Sequence, residues 1–102
     1  MIKLKRREFE ISRKFDKGGF LIPNGKQTVK GLVIMGLGIH NNGAWFVVTH
    51  IASGYALKFC DKQGEARQIV EKIKNLGLAD VDLDTIRANT DNLRKIGVGY
   101  NQ

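Results

Sequence analysis

The chain has 102 residues, 42% of them apolar and 26% charged, with a single Pro and a single Cys. That length allows one domain with one modest core, expected to span residues 1-102, and the composition excludes a disordered or disulfide-stapled protein. The net charge of +7 is unevenly placed: residues 1 to 30 hold nine Lys/Arg against three Asp/Glu, residues 31 to 60 one against none, and residues 61 to 102 seven against seven. A field this lopsided favours a polyanion such as nucleic acid, or an acidic protein surface.

Cys60 has no partner for an intrachain disulfide, which fits a reducing compartment. "MIKLKRREFE" is basic but no apolar stretch follows it, unlike a secretory signal. The longest apolar run, "GLVIMGLGI" at 31 to 39, is too short to span a bilayer. The expected location is cytoplasmic, with no membrane partner.

In chain order, "RREFEISRKF" at 6 to 15 alternates, with Phe9, Ile11 and Phe15 on one side and Glu8, Glu10, Ser12 and Lys14 on the other, as in a half-exposed strand. "DKGG" at 16 to 19 and "PNG" at 23 to 25 mark turns around a short strand "FLI". "TVKGLVIMGLGIH" at 28 to 40 is apolar on both faces and reads as one central strand. Two-residue turns at Asn42-Gly43 and Ser53-Gly54 then lead into "AWFVVTHIA" and "YALKFC", completing an antiparallel meander. From Asp61, an expected N-cap, the period becomes helical: Ala66, Ile69, Val70, Ile73 and Leu76 form one stripe over 62 to 76, ended by Gly77 with Leu78 placed for a Schellman contact. A second, shorter helix is expected to be capped by Asp84 and closed by Gly97, with Ile86, Leu93 and Ile96 inward. The fold class is therefore α+β: an antiparallel β-meander of four to five strands, one long C-terminal helix packed on one sheet face, and a second shorter helix.

Two-residue turns fix the register. One face then collects Val33, Met35, Leu37, Ile39, Phe46, Val48, His50, Tyr55, Leu57 and Phe59, a core to be covered by the helix. The other collects Leu32, Ile34, Gly36, Gly38, His40, Trp45, Val47, Thr49, Ile51, Ala56, Lys58 and Cys60. Gly36 and Gly38 leave a trough there, with Trp45 across from His40, which is a stacking surface or a protein-docking face.

Catalytic and metal patterns fail on chemistry. "GLGIHN" at 36 to 41 lacks the last Gly of GxGxxG, and "GFLIPNGKQ" has Gln27 where a Walker A loop needs Ser or Thr. The register sets His50 across the sheet from His40 and Cys60, so these three cannot share a zinc. "DVDLDTIRANTD" puts Thr85 where an EF-hand loop turns on Gly. Ser53 lies near His50, but no third group is placed to orient the imidazole. Residues 17 to 60 contain no Asp or Glu, so paired carboxylates are missing from the sheet. The chain is expected to be no enzyme, to hold no metal or cofactor, and to take no small-molecule substrate.

What remains is "KLKRREFEISRK", basic residues around an aromatic. Lys3, Lys5, Arg6, Arg7, Arg13 and Lys14 are the expected phosphate contacts, and Trp45, with His40, Thr49 and Lys58 beside it, the expected base contacts. Single-stranded nucleic acid is favoured over duplex. The alternative is an interaction module, a homodimer or inhibitor-like subunit, docking through the face of Gly36, Gly38 and Trp45.

Overall fold

The computed structural model describes residues 5–11 and 25–98, with Lys5 by its backbone alone. The turn at 16 to 19, the short strand at 20 to 22 and most of the turn at 23 to 25 lie outside the described residues. Five strands, β1 (Lys5–Ile11), β2 (Gln27–Ile34), β3 (Leu37–Asn41), β4 (Phe46–His50) and β5 (Tyr55–Cys60), form one antiparallel sheet in chain order. Helices α1 (Gln63–Asn75), α2 (Leu83–Ala88) and α3 (Thr90–Lys95) follow. This is the α+β meander that the alternation and the later helical period imply.

The run at 28 to 40 is two strands instead of one. Ile34 pairs with Leu37, so Met35 and Gly36 form a two-residue hairpin with φ of 46° and 80°. Positive φ at both central positions suits the right-handed strand twist. Met is a poor occupant of that region, so Gly36 alone marks the turn, and a lone Gly reads equally well as a glycine inside a strand. A hairpin keeps Ile34 and Leu37 on one side, whereas a continuous strand would put Val33 there. Leu32, Ile34, Leu37 and Ile39 accordingly face the main core.

The next two connections are four residues long, since Asn41 pairs with Phe46 and His50 with Tyr55. Adding two residues to a loop preserves which side each strand residue takes, so Ile39, Phe46, Val48 and His50 keep their expected face. It does shift the neighbours: His40 lies across from Val47 and not from Trp45. Within β5 an irregularity then reverses the alternation. Thr49 pairs with Ala56 and Val48 with Lys58, leaving Leu57 as the extra residue of a bulge. Past it, Cys60 joins Phe46 on the core side and is 1% exposed, while Phe59 joins Val47 on the other side.

Helix α1 packs across β3, β4 and β5 with Ala66, Ile69, Val70 and Ile73. Its N-cap is Lys62, with no side-chain cap; Asp61 does not serve. Its end is a Schellman motif, with Leu78 N–H donating to Ile73 O at 3.1 Å, Gly77 N–H to Lys74 O at 2.9 Å, and Gly77 at φ 75°. The second helical segment is broken into α2 and α3. Asp82, not Asp84, caps it: the Asp82 carboxylate accepts from the Thr85 amide at 2.8 Å and the Thr85 hydroxyl at 2.7 Å. Asn89 (φ −112°, ψ 23°) then leaves helical geometry, its side-chain amide donating to Thr85 O. That side-chain bond competes with the helical ladder, the general reason Asn interrupts helices. Ile86, Leu93 and Val98 join the same core cluster as α1, so the second segment thickens the core.

Candidate nucleic-acid interface

The face away from α1 is organised by β1. Phe9 pairs with Val29, and Gly38 with Val33, four residues further along β2. In a flat sheet that offset alone separates Phe9 from Gly38 by about 13 Å along the strands. Yet a β-carbon added at Gly38 would lie 2.6 Å from Phe9 Cζ. The β1–β2 ribbon therefore curls across the sheet. The curl passes Gly31, where a β-carbon would overlap the Ile39 carbonyl oxygen, so only glycine lets β3 come so close.

Beneath the ribbon lies a second buried group: Phe9, His40, Val47 and Thr49. The Phe9 ring sits on Gly38 and meets His40 edge to face, with ring centroids 5.9 Å apart. Thr49 is directly across from Gly38. His40 Nδ1 and Thr49 Oγ1 have no hydrogen-bond partner. Burial also pushes the His40 pKa below its ordinary value, favouring the neutral ring. Beside Phe9, a cleft of about 490 Å3 opens between Glu10, Lys26 and Thr28 of the ribbon and Ile51 and Ala52 of the β4–β5 loop.

The trough expected at Gly36 and Gly38 is thus filled by the chain itself. Phe9 covers Gly38, and the Ala79 carbonyl and Asp80 carboxylate lie against Gly36. His40 at 6% and Thr49 at 1% exposure present no surface to a partner in this arrangement. Trp45, in the β3–β4 loop, is 44% exposed. Two Asn side chains shape that loop: Asn41 Oδ1 accepts from Gly43 N–H, and Asn42 Oδ1 from the amides of Ala44 and Trp45. Arg6 and Arg7 are exposed on β1. Lys58, half-buried on β5, pairs with the core residue Val48, so the bulge moves it to the α1 side of the sheet and away from the face on which it was expected beside Thr49. Arg7 shares the side of Phe9 by strand alternation. Lys3, Arg13 and Lys14 lie outside the described residues, as does the Lys5 side chain.

Two residues of this region escape a reading by turn signals. Phe59, 43% exposed, was expected in the core, and only the bulge turns it outward. Phe9 carries a clear alternation signal, but its seat on Gly38 depends on the curl of the ribbon.

His50 is 1% exposed on the other face. Its Nε2–H donates to Val81 O at 2.6 Å, and Nδ1 lies at hydrogen-bond distance, 2.7 Å, from the Ser53 hydroxyl oxygen. A carbonyl can only accept, so Nε2 carries a proton. A third group does orient this imidazole, but it is a backbone carbonyl from the segment before α2, and the result is a buried tie between that segment and the β4–β5 loop. Among the described residues no three or more His, Cys, Asp or Glu side chains gather as a metal site. None of the helices is long and apolar enough to cross a membrane.

No family model matches the chain, and no curated protein or solved structure matches it significantly.

Proposed function

We infer that the protein is a small non-enzymatic nucleic-acid-binding protein acting in the cytoplasm. The observation that carries this reading is where the positive charge sits: an excess of six in the first thirty residues, with Arg6 and Arg7 exposed on the edge strand β1. The two arginines on that edge can neutralise phosphates, while exposed Trp45 offers a ring for base stacking worth about 1–3 kcal/mol. The half-buried Lys58 adds charge on the opposite edge strand.

Fluorescence anisotropy of labelled single-stranded and duplex oligonucleotides across a salt series tests this. Binding that weakens steeply with salt, with Trp45 emission quenched at saturation, is the expected result. No binding to either form at low salt would sink the reading.

A second reading rests on Trp45 and Phe59, large apolar side chains left exposed at 44% and 43%. A second copy of the chain, or another protein, would cover them. Light scattering of the native chain and a Trp45→Glu variant separates the two, because a dimer lost in the variant, with no oligonucleotide bound by either, favours the interface.

A further inference from the structure

We propose that Phe9 occupies a nucleobase socket, and that a base of single-stranded nucleic acid displaces it. This rests on the nucleic-acid reading and adds where and how a base is held. The socket is ring-shaped for a structural reason. Its floor is Gly38, which has no side chain, one wall is the His40 ring, and the far strand contributes Thr49. A phenyl ring fills the space but leaves His40 Nδ1 and Thr49 Oγ1 buried and unpaired. Buried polar groups are nearly always paired, and here His40, in ring contact with Phe9, and Thr49, across the ladder from the Gly38 on which Phe9 sits, each leave one polar atom unpaired, which calls for an occupant with polar atoms on its edge. A nucleobase is such an occupant: flat, with donors and acceptors side by side. The Thr49 hydroxyl can donate or accept, and His40 Nδ1 does either according to tautomer, so the two suit an edge carrying both.

The surroundings favour a base attached to a phosphate chain over a free heterocycle. Arg7 lies exposed on the Phe9 side of β1, while Glu8 and Glu10, which flank Phe9, take the other side by strand alternation, so the charge nearest the placeholder on its own side is positive. The cleft between the ribbon and Ile51 and Ala52 borders Phe9 and gives a displaced ring somewhere to go. A duplex keeps its bases stacked and paired, and extruding one carries an unstacking and unpairing cost, so a single strand delivers a base more readily.

The test uses the full chain and short labelled oligo-dT, oligo-dA and their duplex. Phe9→Ala removes the competitor and should tighten single-strand binding by roughly fivefold to tenfold, because more of the protein is then in the competent form, with little change for duplex. Thr49→Val should loosen single-strand binding by roughly threefold to tenfold, one hydrogen bond's worth. In the wild-type chain, the His40 Nδ1 nitrogen resonance should move to a hydrogen-bonded position when oligonucleotide is added; this readout and Thr49→Val do not depend on Phe9→Ala folding. Single-strand binding that is indifferent to both substitutions but weakened by Arg7→Gln overturns the socket and leaves the nucleic-acid reading standing. Absence of all oligonucleotide binding removes both. A His40 Nδ1 resonance already hydrogen-bonded in the free protein, and unmoved by oligonucleotide, means that a water holds the pair and likewise overturns the socket.

Discussion

His50 and Thr49 are neighbours in β4, both about 1% exposed, and they illustrate opposite states of a buried polar side chain. Both His50 ring nitrogens are bonded, so His50→Ala should cost about 2–4 kcal/mol through the lost packing and an orphaned Val81 carbonyl. Thr49 bonds nothing through its hydroxyl, so Thr49→Val, which keeps the shape and removes the polar atom, should stabilise the free protein by about 1 kcal/mol. Urea unfolding of both variants checks the contrast, and a Thr49→Val chain less stable than wild type would mean that the hydroxyl is satisfied. His40 adds a pH dependence. Its folded pKa is lowered by burial, so the unfolded chain binds the extra proton first. The contribution of neutral His40 is complete above the ordinary histidine value of about 6.5 and is lost as pH falls through the lowered one. Wild-type stability should therefore decline from pH 7 toward 5.5 more steeply than that of His40→Leu, measured by urea melts before carboxylates begin to titrate.

At the scale of elements, glycines separate what the backbone demands from what it tolerates. A side chain at Gly31 runs into the Ile39 carbonyl, which is main chain and cannot move aside, so Gly31→Ala should displace the ribbon and cost more than about 3 kcal/mol. Gly64 lies in the first turn of α1 with nothing within 4 Å, and Gly64→Ala should stabilise by about 0.5–1 kcal/mol. Thermal melts of the two variants should move in opposite directions. The same contrast explains which elements are legible in the sequence. Helix α1 and its Schellman ending are, because an apolar stripe and a Gly with the right neighbours are local signals. The four-residue loops are only half legible: the Asn-Gly and Ser-Gly signals locate them without fixing their length, and an error of two residues leaves the faces unchanged. The Leu57 bulge leaves no residue signature, and the Met35-Gly36 hairpin leaves only a lone Gly that also suits a strand. Each moves the alternation by one, which is why Val33 and Phe59 change sides. The candidate socket is less legible still, because Phe9 reaches Gly38 through the curl of a ribbon, a tertiary feature that no spacing encodes.

For the molecule as a whole, the two edges of the sheet are defended differently, and this decides where a partner can approach. β5 carries the bulge, which distorts an edge that would otherwise offer a regular ladder to another strand. β1 carries Arg6, Arg7, Glu8 and Glu10, with Glu8 and Lys30 reaching 4.0 Å across to β2 as an exposed ion pair. Such a pair adds little stability at the surface. Its effect is on the field: it neutralises one Glu beside the arginines and leaves their charge available to an anion. If β1 tracks phosphates, replacing Arg6 and Arg7 by Gln should lower affinity for every oligonucleotide alike and flatten the dependence of log K on log salt by about 0.7 per arginine for a single strand. Replacing Trp45 by Ala should instead lower single-strand affinity at every salt concentration and leave that slope unchanged, since stacking releases no counterions. Anisotropy titrations of the two variants over the same salt range distinguish these signatures. A slope unaltered by loss of both arginines would mean that β1 contacts no phosphate, and that the positive edge serves to keep strands of other molecules away.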